Sequence, residues 1–194
     1  MKKICLVFFA VMSGVFAGAQ VQFGVKAGLN LTTLTYSGPA STEPAWKTSF
    51  NAGLLASVPL SSGFYLQPEI MYSGQGYEHA VANQSGHYEL SYLNVPVLFR
   101  YQHESGLFAV TGPQIGFLLS ADAEVGGNKT DIKDQFQTTD FSWAFGLGYK
   151  FSKIGLGIDA RYNLGITNLA KDSPDETIKN SVFQLGLFYM LNFN

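Results

Sequence analysis

The chain has 194 residues, one domain's worth, with 13% charged and 14% aromatic residues, 21 glycines and a formal net charge of −2. Beyond its start it has no run of about 18 apolar residues, which excludes a helical membrane protein. The weakly acidic balance argues against nucleic acid as a partner.

The first segment reads as a secretory signal over residues 1–19. Lys2 and Lys3 form its basic end, Ile4 to Phe16 its apolar core, and Ala17-Gly18-Ala19 a small-x-small cleavage site before Gln20. The only cysteine, Cys5, would leave with the signal, so the mature chain carries no disulfide. Loss of Lys2 and Lys3 takes the twelve basic residues to ten against 14 acidic ones, a formal net charge of −4. Residues 20–194 show no linker or low-complexity stretch and are expected to form one domain.

Eight strands are expected, at roughly 21–32, 48–60, 63–74, 87–101, 106–120, 138–151, 153–165 and 180–193. Each alternates large apolar with small or polar residues, so each has one apolar and one polar face. Strand one sets Phe23, Val25, Ala27, Leu29 and Leu31 against Gln22, Gly24, Lys26, Gly28 and Asn30. Strand two sends Phe50, Ala52, Leu54, Ala56 and Val58 outward, and strand three sends Phe64, Leu66, Pro68, Ile70 and Tyr72. Strand four slips phase near Tyr92-Leu93, as at a bulge. Leu118-Leu119 blurs strand five. Strands six and seven alternate most cleanly, as in Ile158-Asp159-Ala160-Arg161-Tyr162, and strand eight sends out Phe183, Leu185, Leu187, Tyr189, Leu191 and Phe193.

The polar faces carry full charges and glycines, which suits a barrel with polar contents and a lipid-facing exterior. Connections alternate between short (after strands two, four and six) and long (about 33–47, 75–86, 121–137 and 166–179). That is the asymmetry of periplasmic turns and external loops, and an even strand count puts both ends of the barrel chain at the periplasmic side. Phe23, Phe64, Phe99, Tyr101, Tyr149, Phe151 and Phe193 fall at the short-turn ends. Phe50, Tyr72, Phe141, Trp143, Tyr162 and Phe183 fall nearer the long loops, so two aromatic belts are expected. The fold class is therefore all-β: an eight-stranded antiparallel up-and-down transmembrane β-barrel with a polar interior.

Four stretches resemble the PorT-like outer-membrane β-barrel family of Bacteroidetes. They are Tyr92-Leu93-Asn94-Val95-Pro96-Val97-Leu98, Gly112-Pro113-Gln114-Ile115-Gly116, Gly146-Leu147-Gly148 and Asp159-Ala160-Arg161-Tyr162-Asn163-Leu164-Gly165. With the strand spacing, the resemblance covers essentially all of residues 20–194. It implies an eight-stranded outer-membrane barrel, and one member class is tied to type IX secretion.

Seven charges are expected inside: Lys26, Glu69, Arg100, Asp140, Lys150, Asp159 and Arg161. A carboxylate pair such as Glu69 with Asp140 or Asp159 could do acid–base work. An eight-stranded barrel is, however, just wide enough to be filled by its own side chains, so paired structural charges are expected instead. His79 and His87 flank the second long loop beside Glu78 and Glu89, and His103 lies in a short turn. Asp122, Glu124, Asp131 and Asp134 make the third loop acidic without calcium-loop spacing. Solvated loop residues are the simpler account of both. Gly146, Gly148, Gly155 and Gly157 form no nucleotide fingerprint and are expected within strands, relieving crowding.

No catalytic, cofactor-binding or metal-binding residue is assigned, and no cofactor is expected. The function expected is a non-catalytic, monomeric, integral outer-membrane protein with a structural or loop-mediated role. Its partners are outer-membrane lipid and lipopolysaccharide, with an extracellular or secretion-machinery protein met through the long loops. The alternatives are an accessory barrel of type IX secretion, a secreted lipocalin-like ligand-binding barrel, and a lipid-modifying enzyme with a catalytic group near the outer belt.

Overall fold

The computed structural model describes residues 21–37, 45–81, 84–125, 127–169 and 177–191. The expected signal segment 1–19 and Phe193 lie outside them. Nine strands form: β1 (Gln22–Ser37), β2 (Lys47–Ser61), β3 (Phe64–Val81), β4 (Gln84–Gln102), β5 (Leu107–Val125), β6 (Asn128–Asp131), β7 (Thr139–Phe151), β8 (Leu156–Gly165) and β9 (Thr177–Leu191). Eight of them pair in the order β4-β3-β2-β1-β9-β8-β7-β5, and β4 pairs with β5 to close the ring. All the ladders are antiparallel. The short β6 pairs with β5 alone and stands outside the ring.

The alternation works as the inverse of a soluble core. Leu147 is 68% exposed and Leu54 61%, whereas Arg161 and Glu69 are 2% exposed. In β8, Ile158 is 45% exposed and its neighbour Asp159 only 6%. Val58 is an exception, buried although it lies in the outward phase. The aromatic rings gather into belts: Phe64 and Tyr101 lie 5.0 Å apart at the short-turn end, Phe50 and Tyr72 5.3 Å apart near the long loops.

Strands reach further toward the long-loop side than their apolar alternation does. β1 runs to Ser37, β3 to Val81 and β5 to Val125. Most of the expected loop 75–86 is thus a hairpin that continues β3 and β4, and β6 is carved from the loop at 121–137. A ladder can continue on backbone hydrogen bonds after lipid stops demanding an apolar face. The short turns are as expected, except that the third, expected at Ser152 alone, runs on through Lys153 and Ile154 to Gly155, which therefore sits in the turn and not in a strand. The Gly155 φ of +73° is the left-handed region that glycine enters without strain, as is the +78° of Gly63 between β2 and β3.

The phase slip lies in β5, not in β4. Ser91 faces Ser120 while Tyr92 faces Leu118, so Leu119 is the extra residue of a bulge. Leu118 is buried inside and Leu119 exposed outside. Tyr92 and Leu90 look out of phase only because they are apolar residues pointing inward.

Pairing is continuous along β5–β7, β7–β8, β8–β9, β9–β1 and β1–β2. It lapses in three adjacent ladders: between Leu55↔Glu69 and Val58↔Leu66, between Pro68↔Val97 and Met71↔Asn94, and between Pro96↔Gln114 and Phe99↔Thr111. Pro68, Pro96 and Pro113 fall in these three gaps in turn. Proline has no N–H to give a ladder.

Candidate functional site: the charged lumen

At mid-height, four buried charges form a closed set. Arg161 donates from Nη1 to Glu69 Oε2 at 2.8 Å and from Nη2 to Oε1 at 2.9 Å, a two-pronged pairing across the lumen from β8 to β3. Nη2 also reaches Asp159 Oδ2 at 3.3 Å, and the same oxygen takes Lys26 Nζ. Two cations thus meet two carboxylates, which is how such groups survive burial. Gln67 donates to Glu69 Oε1 at 2.7 Å and accepts at its own Oε1 from Arg100 Nη1 at 3.1 Å. Nearer the outer end, Asn30 donates to Ser73 and the Gly74 carbonyl and accepts from Asn51 and Gln184.

Six of the seven expected inward charges are buried; Lys150 is at the rim, half-buried, with its Nζ 3.2 Å from Gln22 Oε1. Asp140 accepts from Asn180 at 2.8 Å and joins no ion pair with a described residue. Glu69 and Asp159 do come together, but through the one Arg161 guanidinium. Each carboxylate is bound to a cation and neither has the free approach a general base needs.

Two apolar layers bracket this polar middle, and the alternation pattern alone does not foretell them. Leu55, Leu98, Phe108, Val110, Ala144, Phe188 and Met190 pack toward the short-turn end. Leu90, Tyr92, Leu118, Ala121 and Ile132 pack toward the long-loop end, against Tyr88 and Phe136. The signal was in the sequence: Leu55, Phe108 and Phe188 are large apolar residues in the polar phase. Gly148 and Gly157 make room for them, since a Cβ on either would strike the ring of Phe108 or Phe188 respectively. Arg100 lies 3.9 Å over the Phe108 ring, a cation–π contact.

Outside the belts, the hairpins carry a chain of exposed charges. Glu89 takes Lys47 at 3.2 Å and Lys129 at 3.6 Å, and Lys129 meets Asp122 at 3.3 Å. The hydrogen bond from Lys47 holds the Glu89 carboxyl below its ordinary range, and Asp122 raises Lys129. His87 Nδ1 is 3.7 Å from Glu78 across the β3–β4 hairpin. The side chain of His79 lies outside the described residues, and His103 is bound to Ser105 in the opposite turn. Among the described residues, no three His, Cys, Asp or Glu side chains converge as metal ligands. A recess of about 610 Å³ lies on the outer wall across β1, β9, β8 and β7, floored by Ala27, Gly28, Ala160 and Gly186.

A filled polar lumen inside an apolar, twice-belted wall is the arrangement of a membrane barrel. The family described as outer membrane protein beta-barrel domain matches residues 16–171. The chain belongs to that family. This outer-membrane barrel is similar to the solved Neisserial surface protein A (NspA), at 14% identity and a TM-score of 0.56, over 86% of this chain and 96% of that one. It is also similar to Ail, the attachment invasion locus protein of Yersinia pestis, at 18% identity and a TM-score of 0.49, over 88% and 98%. OprG from Pseudomonas aeruginosa aligns at 10% identity and a TM-score of 0.49, over 89% and 96%. No curated protein matches the sequence.

Proposed function

We propose that this outer-membrane barrel is a non-catalytic, PorT-like protein of the Bacteroidetes type that works through its outer hairpins. The observation that carries the reading is the filled lumen. With the ion-paired middle capped by an apolar layer at each end, the described residues leave neither a conduction path nor a substrate position inside. Among the described residues, a partner would meet the extramembrane ends of β2, β3, β4, β5 and β6, with their charge chain from Lys47 to Asp122. The chain is exported by a signal cleaved after Ala19 and stands as a monomer among outer-membrane lipid and lipopolysaccharide. Its protein partner is extracellular or part of a secretion machinery.

Photo-crosslinking on intact cells tests this. A crosslinking residue at Lys129 is expected to give a discrete protein or lipopolysaccharide adduct, and one at Ser152 none. A barrel that yields no adduct from any outer position, yet passes ions in nanosiemens steps across a planar bilayer, refutes the proposal.

A further inference from the structure

The buried charges balance at mid-height and are left over toward the ends: Asp140 near the long loops has only the Asn180 amide, and Arg100 stands alone near the short turns. Lys26, Asp159, Arg161 and Glu69 neutralise each other. Arg100 does not share in this. Its two Nη groups rest on amide oxygens only, Gln67 Oε1 at 3.1 Å and Gln102 Oε1 at 2.5 Å, and its buried Nε has no partner. Lys150, at the same short-turn end, likewise rests on an amide oxygen, that of Gln22. Among the described residues, neither cation forms a salt bridge. A guanidinium that is 2% exposed and held by amide oxygens and the Phe108 ring, with no carboxylate, keeps part of its desolvation cost uncompensated.

A polar cleft of about 460 Å³ opens beside it, between the β2–β3 and β4–β5 turns. Its walls are Ser62, Gly63, Tyr65, Tyr101, Gln102 and His103, with Glu104 at the exposed tip of the turn. Gln102 is the link: it lines the cleft and its amide oxygen occupies Arg100 Nη2. His103 Nδ1 accepts the Ser105 N–H at 3.2 Å, which leaves Nε2 as the protonated nitrogen of the neutral ring, a further donor. Tyr65 and Tyr101 add hydroxyls and ring faces.

We propose that this cleft is a periplasmic carboxylate-binding site, with Arg100 as the anchor behind Gln102 and Lys150, at the same end of the barrel, as the second cation. A carboxylate in place of the Gln102 amide oxygen would meet a planar guanidinium whose fork matches it. The cleft's size admits the end of a peptide or a similar small acid. Glu104 is free to turn to water as the ligand enters.

The test uses the full barrel refolded in zwitterionic nanodiscs, followed by backbone amide NMR at constant ionic strength. Three probes are titrated: N-acetyl-alanyl-alanine, its C-terminal amide, and inorganic phosphate. The acid is expected to shift Gly63, Gln102 and His103 saturably. Lys150→Gln, at the rim and outside the packed interior, is expected to weaken this by about tenfold, and Arg100→Gln to abolish it. Equal shifts from acid and amide, equal shifts from phosphate, or unchanged binding in Lys150→Gln would each overturn the assignment.

Discussion

The two halves of the barrel wall are built differently. From β7 through β8 and β9 to β1, the ladders run without a break. From β2 to β5, pairing lapses three times in succession, each time at a proline. The second wall lacks donors where lipid offers none in return. The charged lumen is placed to answer this. Glu69 follows Pro68 on β3 and lies opposite Pro96 in register, and it is the residue that Arg161 grips from the continuous wall. Gln67, on the other side of Pro68, joins Glu69 to Arg100. The interrupted wall is thus braced from inside against the continuous one. The lesson is that the inward charges of a filled barrel act as struts, and their position follows the weak part of the wall.

Removing a strut is the strongest way to break this contrast. Glu69→Ala leaves Arg161 buried with half its counter-charge, and destabilisation of about 3–5 kcal/mol is expected in urea unfolding of the refolded barrel in vesicles. Asp159→Ala should fall in the same range, because it strands Lys26. A silent Asp159→Ala would mean the lumen is wet and the struts idle.

Next in size is the lipid face of the continuous wall. Ile158→Arg is expected to cost about 2–4 kcal/mol in the same assay, while Ile158→Leu costs less than about 1.5 kcal/mol. A protein that tolerates the arginine and stays folded without lipid or detergent would overturn the inverted-core assignment.

Restoring a donor should sharpen the difference. Pro96→Val is expected to slow hydrogen exchange along β3 and β4, with a net gain below about 1.5 kcal/mol because the fully buried Pro96 side chain must also be repacked. In the native barrel, the amide of Val97, which faces β5 at the Pro113 lapse, should exchange well before that of Ala160. Matched rates would show that the lapses carry no mechanical meaning.

The smallest effect belongs to the outer rim, where Lys47 of β2 holds Glu89 of β4 over the end of β3. Because folding lowers the Glu89 pKa, its contribution is present above the ordinary carboxylate range and fades as the pH falls through the folded value. With Glu89 half exposed, Lys47→Met should cost less than about 1 kcal/mol at pH 7 and still less in acid, measured as the vesicle unfolding midpoint against pH.

Most of the architecture was legible because lipid imposes a strict two-residue period. Ile158, Asp159 and Arg161 declared their faces by that period alone, and Phe50, Tyr72 and Trp143 declared the belt. Pairing across the lumen was not legible. Glu69 and Arg161 are 92 residues apart and meet only through the ring's closure and stagger. The extent of β3 and β5 was hidden because extramembrane hairpins need no apolar face. The bulge at Leu119 was misplaced because Tyr92 is an inward apolar residue, which a rule of polar contents does not allow.

One ladder sets a condition on how the molecule comes into being. The ring closes where β1 meets β9, from Phe23↔Leu191 to Ser37↔Thr177, so its first strand must wait for its last. Contacts of such long range are slow to form, and until they do, two strand edges stay open to any passing strand. Lys26 and Asp159 are likewise joined only across 133 residues of chain. A nascent chain halted before β9 would hold unmatched charges and two bare edges at the membrane. Without β9 the ring has no closing ladder, so a truncated copy is expected to be an open sheet and not a smaller barrel.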